Sequence, residues 1–172
     1  SRMTGFDELP KRGAIYRQNF EKACELARLA GTTTVLMTGK GEPTLYPDEV
    51  SEYLELLKPY RFPLIEVQTI ALDIGWLVRD GKPKHAKGLT REVLASWRAA
   101  GLNTIAISVV SEKPEHNAKV YNEDYPDLAK TVAFLHELGF TVRLCVMMQK
   151  GAVDTPERLR DILAFCKSNG IE

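Results

Sequence analysis

A chain of 172 residues, 44% hydrophobic and 27% charged, has the composition of an ordinary globular domain and enough length for one sizeable core. Its 23 basic and 23 acidic side chains cancel, which leaves no electrostatic footprint for nucleic acid or an anionic membrane. No apolar run approaches the roughly 20 residues of a membrane span, and no signal-peptide pattern opens the chain. Three widely spaced cysteines argue against a disulfide framework and for a reducing, cytoplasmic location.

Residues 1–15 are polar, contain Pro10 and Gly13, and read as a loop; 16–172 read as one domain of βα units. The spacing of Phe20, Ala23, Cys24 and Ala27 predicts a helix over 16–30, stopped by Gly31. A β-branched strand follows over 32–38. Pro47 opens a helix over 48–58 with Val50, Tyr53, Leu54 and Leu57 inward, and 64–70 is the next strand. Residues 71–88 carry charges with Gly and Pro throughout, and read as a long loop, a candidate lid. Thr90 caps a helix reaching Ala100, and 104–110 is a strand followed by a polar loop over 111–124. A helix over 126–138, a strand over 141–148 and a last helix opened by Thr155-Pro156 complete the pattern; Leu159, Ile162, Leu163 and Cys166 share a face of that helix.

Gly31, Gly101, Gly139 and Gly170 each stand between a helix end and an apolar strand, as C′ glycines do. Strands alternating with helices in this way mean an α/β fold with parallel strands and right-handed crossovers. Continuously apolar strands predict that both sheet faces are covered. A segment of a (β/α) barrel and an open doubly wound sheet both accommodate the pattern, and in both, ligands bind at the carboxyl ends of the strands. The opening Ser1-Arg2, without an initiator Met, and the closing Asn169-Gly170-Ile171-Glu172 read as the cut ends of a central piece of a longer protein.

Strand ends deliver Thr38 with the loop Gly39-Lys40-Gly41-Glu42, then Gln68 and Thr69, then Ser108 to Ser111, then Met148 to Lys150. Two glycines free the backbone for a tight turn, and Pro43 drives Glu42 toward extended geometry, so a carboxylate is held where the strand stops. Such a group can grip an ammonium or a hydroxyl-rich ligand, or it can be a solvated turn residue. No serine-nucleophile elbow, phosphate loop or dinucleotide fingerprint is present. His85 and His116 lie in loops toward the same end, with Tyr121 and Asn122. Lys82, Lys84 and Lys87 read as a solvated loop face, and His136 as a helix-terminal residue.

Gly39-Lys40-Gly41-Glu42-Pro43-Thr44-Leu45 resembles the Gly-Gly-Glu-Pro loop of radical S-adenosylmethionine (SAM) enzymes, one residue longer. The resemblance extends to Glu66-Val67-Gln68-Thr69, to the segment from Ala99-Ala100-Gly101 into Ser108, and to Val142-Arg143-Leu144 through Gly151-Ala152-Val153-Asp154. The last segment is most similar to the branch making the molybdenum-cofactor precursor from GTP. The resemblance implies a partial TIM-like (β/α)₆ barrel, its first strand missing and its sixth only begun. It further implies SAM as cofactor and a [4Fe–4S] cluster that together generate a 5′-deoxyadenosyl radical for hydrogen abstraction. Glu42 would bind the methionyl ammonium with the backbone of Gly39, Lys40 and Gly41; Thr69 and Ser108 would meet the carboxylate or ribose; Arg143 and Gln68 would face substrate. A peptide or small-molecule substrate and an electron donor such as ferredoxin or flavodoxin are the implied partners. On this reading Glu42→Ala weakens cofactor binding with little loss of fold.

The sequence departs from the family at the Cys-x-x-x-Cys-x-x-Cys loop, which it lacks. Cys24, Cys145 and Cys166 read as core residues, so cluster ligands are expected outside this chain. Val110 stands where the family places an Asp, and Ile70-Ala71 where it places Asn-Gly. Two alternatives remain: an ordinary barrel enzyme such as an aldolase or phosphate-sugar enzyme, using Lys40 or Lys150, and a non-catalytic barrel that lost the cluster.

Overall fold

The computed structural model describes residues 14–39 and 41–172. Of the loop expected over 1–15, residues 1–13 therefore lie outside the described residues, and the first helix, α1 (Ala14–Leu29), is already formed at Ala14. Among the described residues the strands are β1 (Thr34–Met37), β2 (Leu64–Thr69), β3 (Thr104–Val109) and β4 (Thr141–Val146). Helix α2 (Pro47–Leu57) joins β1 to β2; α3 (Leu72–Asp80) and α4 (Arg91–Ala99) join β2 to β3; α5 (Pro114–Tyr121) and α6 (Leu128–Glu137) join β3 to β4; α7 (Pro156–Ser168) follows.

Every strand pair is parallel, and the order is β1-β2-β3-β4. That order decides between the two architectures open to the sequence. Right-handed crossovers that always step to the next strand in the same direction put every helix on one face, and a doubly wound sheet needs a reversal of order that is absent among the described residues. The sheet is thus an arc of a (β/α) barrel, helices outside. All four expected C′ glycines have positive φ, from 62° at Gly170 to 108° at Gly101.

Parallel register puts paired residues on the same face. Ile65, Val67, Ile105, Ile107, Val109 and Val142 form the outer face, and all are buried beneath Leu54, Leu94, Trp97, Val132 and Leu135. Each such side chain contributes about 1.5–3 kcal/mol through the area it removes from water. The inner face carries Leu36, Glu66, Gln68, Ser108, Arg143 and Cys145. The expectation of strands covered on both faces holds for β2 and β3, where Glu66, Thr104 and Ala106 of the inner face are buried, and fails for β1, where Leu36 is 47% exposed.

Four further readings change. The connection 71–88 is not a loose lid. Half of it is α3, and the rest is tied down by buried Asp73, whose Oδ1 accepts from the backbone amides of Lys84, His85 and Ala86 at 2.8, 2.7 and 3.0 Å. The 111–124 loop contains α5, started by Pro114 and ended by left-handed Asn122. On α7, Ile162 is buried whereas Leu159 and Leu163 are exposed, so the apolar face read there is only partly covered among the described residues. Cys145 is not a core residue: it is half-buried on the inner face.

Candidate functional site

The loop between β1 and α2 is built as its glycines and proline dictate. Gly41 has φ 126°, a region closed to L side chains, and Glu42 before Pro43 is extended at φ −119°, ψ 111°. Lys40 lies outside the described residues. The Glu42 carboxylate then turns across to the end of β2. Its Oε1 accepts from Thr44 N (3.0 Å), Thr44 Oγ1 (2.7 Å) and Thr69 Oγ1 (2.5 Å); its Oε2 accepts from Ile70 N at 2.8 Å. This is not a solvated turn residue. Four donors converge on it, and among the described residues Oε2 carries only one of them, which leaves acceptor capacity on a half-buried anion.

The other expected site residues divide by strand parity. Thr69 is directly joined to Glu42, but it is 2% exposed and spends its hydroxyl proton on that carboxylate while accepting from Ala71 N at 2.8 Å. It holds Glu42 in place and offers no free donor of its own. Gln68, one residue earlier, faces inward, and its Nε2 donates to Ser108 Oγ at 3.1 Å. Gly39 and Gly41 are exposed at the mouth. Arg143 lies deeper on the same inner face, donating from Nε and Nη2 to both oxygens of Glu66 (3.0 and 2.5 Å) and from Nη1 to Cys145 Sγ at 3.3 Å. The Glu66 bond holds the Arg143 guanidinium more firmly protonated than usual.

Sequence reasoning missed three participants. Glu66 is buried and pairs with Arg143, and Cys145 flanks that pair. Tyr125 donates to Ile70 O at 2.8 Å and stacks on Tyr121 with ring centroids 5.8 Å apart; Tyr121 in turn donates to Ser108 O at 2.7 Å. The two tyrosines bridge the ends of β2 and β3. Burial, and secondarily the Glu42 charge, pushes the Tyr121 phenol up to about 12; burial, reinforced by Tyr121 and Glu42, also raises that of Tyr125. Tyr121 closes α5 and Tyr125 lies past left-handed Asn122, so no periodicity in the sequence pairs the two rings.

The remaining candidates sit elsewhere. His85 packs edge-on against Trp76 and bonds Glu123 at 3.3 Å, and Lys84 pairs with Glu123 above the Trp76 ring. His116 is half-buried on α5, and its Nδ1 has no hydrogen-bond partner among the described residues. Met147 and Met148 are exposed past the end of β4. A cavity of about 440 Å³ touches Gly39, Gly41 and Glu42 but runs along the open edge of β1 between Phe20 and Tyr53; Ser108 and Gln68 do not line it. It is a groove of the strand edge that meets the mouth at Gly39, Gly41 and Glu42.

Comparison with known proteins decides the family. The family model described as the radical SAM superfamily matches residues 6–166. The chain belongs to the radical SAM superfamily. Among curated relatives it is 27% identical over 169 residues to the GTP 3′,8-cyclase of Aquifex aeolicus, covering 96% of this chain and 47% of that protein. It is 30% identical over 158 residues to the GTP 3′,8-cyclase of Nautilia profundicola, covering 88% and 43%. The chain thus spans less than half the length of these relatives. Among solved structures it resembles Streptococcus suis SuiB bound to S-adenosylmethionine, at 20% identity and TM-score 0.61, over 96% of this chain and 34% of that one. It also resembles SuiB bound to the precursor peptide SuiA, at 21% identity and TM-score 0.62, over 94% and 32%. These structural matches show the partial barrel fold.

The superfamily uses SAM and a [4Fe–4S] cluster, and the residues present differ in how they fit the two. Glu42 with the Gly39 and Gly41 backbone suits an amino-acid head group. No cluster site exists among the described residues: no three His, Cys, Asp or Glu side chains converge. Cys24 is buried on α1, Cys145 lies on β4 and Cys166 on α7; burial pushes the Cys24 and Cys166 thiols up, away from the thiolate a metal needs. No helix among the described residues is long and apolar enough to cross a membrane.

Proposed function

We propose that this chain is the cofactor-binding core of a radical enzyme, holding SAM at the mouth formed by the ends of β1, β2 and β3. The observation that carries the reading is a carboxylate pinned by four donors at that mouth, with one oxygen still able to accept, in a chain of the radical SAM superfamily. When bound together, SAM and a reduced [4Fe–4S] cluster supply the radical that abstracts hydrogen from substrate. None of Cys24, Cys145 and Cys166 is placed with two other ligands to hold that cluster among the described residues.

The chain's own residues do the binding and orienting. Glu42 Oε2 accepts a hydrogen bond from the methionyl ammonium, and the exposed Gly39 and Gly41, with Lys40 between them in sequence, border the amino-acid head. Thr69 acts through Glu42. Ser108, tied to Gln68, meets the carboxylate or ribose. Arg143 and Gln68 form part of the substrate-facing floor, where Glu66 neutralises the guanidinium and fixes its plane. The substrate is a small molecule or peptide, and the electron donor is a ferredoxin or flavodoxin. The relatives make GTP one substrate to try and a peptide another.

The test is anaerobic reconstitution of the full-length protein with iron and sulfide, followed by reduction in the presence of SAM. The proposal expects iron–sulfur absorbance and release of 5′-deoxyadenosine. A protein that takes up no cluster, or a loaded protein that leaves SAM intact, overturns it.

A further inference from the structure

We infer that Tyr125 is a positioning residue for Glu42, acting through one chain of hydrogen bonds; the inference rests on the proposal that Glu42 binds the methionyl ammonium. Tyr125 Oη donates to Ile70 O at 2.8 Å. The N–H of that same peptide, Ala71 N, donates to Thr69 Oγ1 at 2.8 Å. Thr69 Oγ1 has one proton, and with an acceptor position filled by Ala71 it directs that proton to Glu42 Oε1 at 2.5 Å. Hydroxyl, peptide, hydroxyl and carboxylate are thus aligned head to tail, an arrangement in which each bond polarises the next.

The backbone carries the mark of this constraint. Ala71 sits at φ 54°, ψ 19°, a left-handed conformation that a non-glycine residue keeps only where its surroundings enforce it. That conformation turns the peptide between residues 70 and 71 so that its two ends meet Tyr125 and Thr69. Residue 70 is gripped from the other side as well, because Ile70 N donates to Glu42 Oε2. Tyr125 is itself immobilised: it is 5% exposed, its ring stacks on Tyr121, and Pro126 beside it packs against Gly75. At that burial it does not serve as a ligand contact; its influence passes through the peptide it holds.

A positioning role for the carboxylate makes a prediction that general loosening does not. The experiment uses the full-length protein and isothermal titration with two probes: S-adenosylhomocysteine, and 5′-(3-carboxypropylthio)-5′-deoxyadenosine, the same molecule without its amino group. Tyr125→Phe removes one hydroxyl and keeps the ring stack. It is expected to weaken the amino ligand about fivefold and the desamino ligand less than about twofold. In a Glu42→Gln background Tyr125→Phe should add less than about twofold for either probe, since the group it positions has lost its charge. Thr69→Val breaks the same chain at another link and should give the same discrimination, which keeps the test available if Tyr125→Phe folds poorly. Equal losses for both probes, or unchanged affinity for the amino ligand, overturn the role of Tyr125 while leaving the cofactor proposal intact. A wild-type protein that binds neither probe nor SAM removes the cofactor proposal and this inference with it.

Discussion

Replacing Glu42 by alanine tests the network at its centre, and the structure changes what that variant should do. The sequence expectation was weaker cofactor binding with little loss of fold. The geometry instead has Glu42 accepting from Thr44 N, Thr44 Oγ1, Thr69 Oγ1 and Ile70 N, with Thr44 and Thr69 essentially buried. A hydrogen bond to a charged group is worth about 1.5–3 kcal/mol net, but four on one carboxylate are not additive, and water can enter beside a half-buried loop. About 2–4 kcal/mol is the expected loss, because two buried hydroxyls and two amides lose their acceptor together. For a chain of this size that is a fall in Tm of roughly 5–15 °C. Glu42→Gln keeps one oxygen for the Thr44 and Thr69 donors while turning an amide toward Ile70 N, so its fall should be less than half as large. Thermal unfolding of the full-length protein, followed by circular dichroism without ligand, separates this from any binding effect. An alanine variant that melts with the wild type would refute the network, and one that melts no lower than the glutamine variant would refute the count of donors.

Three other outcomes follow from the same structure. A Cβ on Gly75 would lie 2.7 Å from the ring carbons of Pro126, so Gly75→Ala should lower Tm, as overpacking of about 1–3 kcal/mol outweighs the roughly 1 kcal/mol helix-propensity gain; a rise would mean that the 122–127 segment yields freely. Arg143→Ala leaves the buried Glu66 carboxylate without its partner, but 42% of the arginine side chain is exposed, so denaturant titration should show a loss of about 1–3 kcal/mol, largely restored when Glu66→Gln is added; no restoration would contradict an isolated pair. Tyr121 is neutral in the fold up to about 12 and ionises near 10 when unfolded, so its contribution is complete below pH 10 and is lost as pH rises from 10 through 12. Melts across that range should fall more steeply for wild type than for Tyr121→Phe, and parallel curves would count against it.

How much was legible turns on which residues fix backbone and which only fix parity. Gly41 and Pro43 dictate the loop geometry wherever they occur, so the extended Glu42 at the strand end was readable. The C′ glycines likewise set the helix–strand rhythm, and with it the parallel α/β fold. Helix α3 was hidden because it lacks both usual signals: Ala71 enters it left-handed with no side-chain cap, and Gly75 interrupts its apolar run for the sake of Pro126. For α5 the signals were present, in Pro114 and Asn122, but its polar sequence disguised them. Gln68 and Thr69 were both placed at the site, yet adjacent strand residues point to opposite faces, and only the register with β3 shows that Gln68 is the inward one. Cys145 shares parity with Arg143, which moves it from the core to the inner face. No sequence pattern could reveal Tyr125 gripping a carbonyl 55 positions away.

A structure of the full-length protein with SAM bound measures the decisive distance. The account places the methionyl nitrogen about 2.7–2.9 Å from Glu42 Oε2, with the bonds from Thr44, Thr69 and Ile70 kept. A methionyl nitrogen held by other groups, with the Glu42 carboxylate facing only its four internal donors, would contradict it.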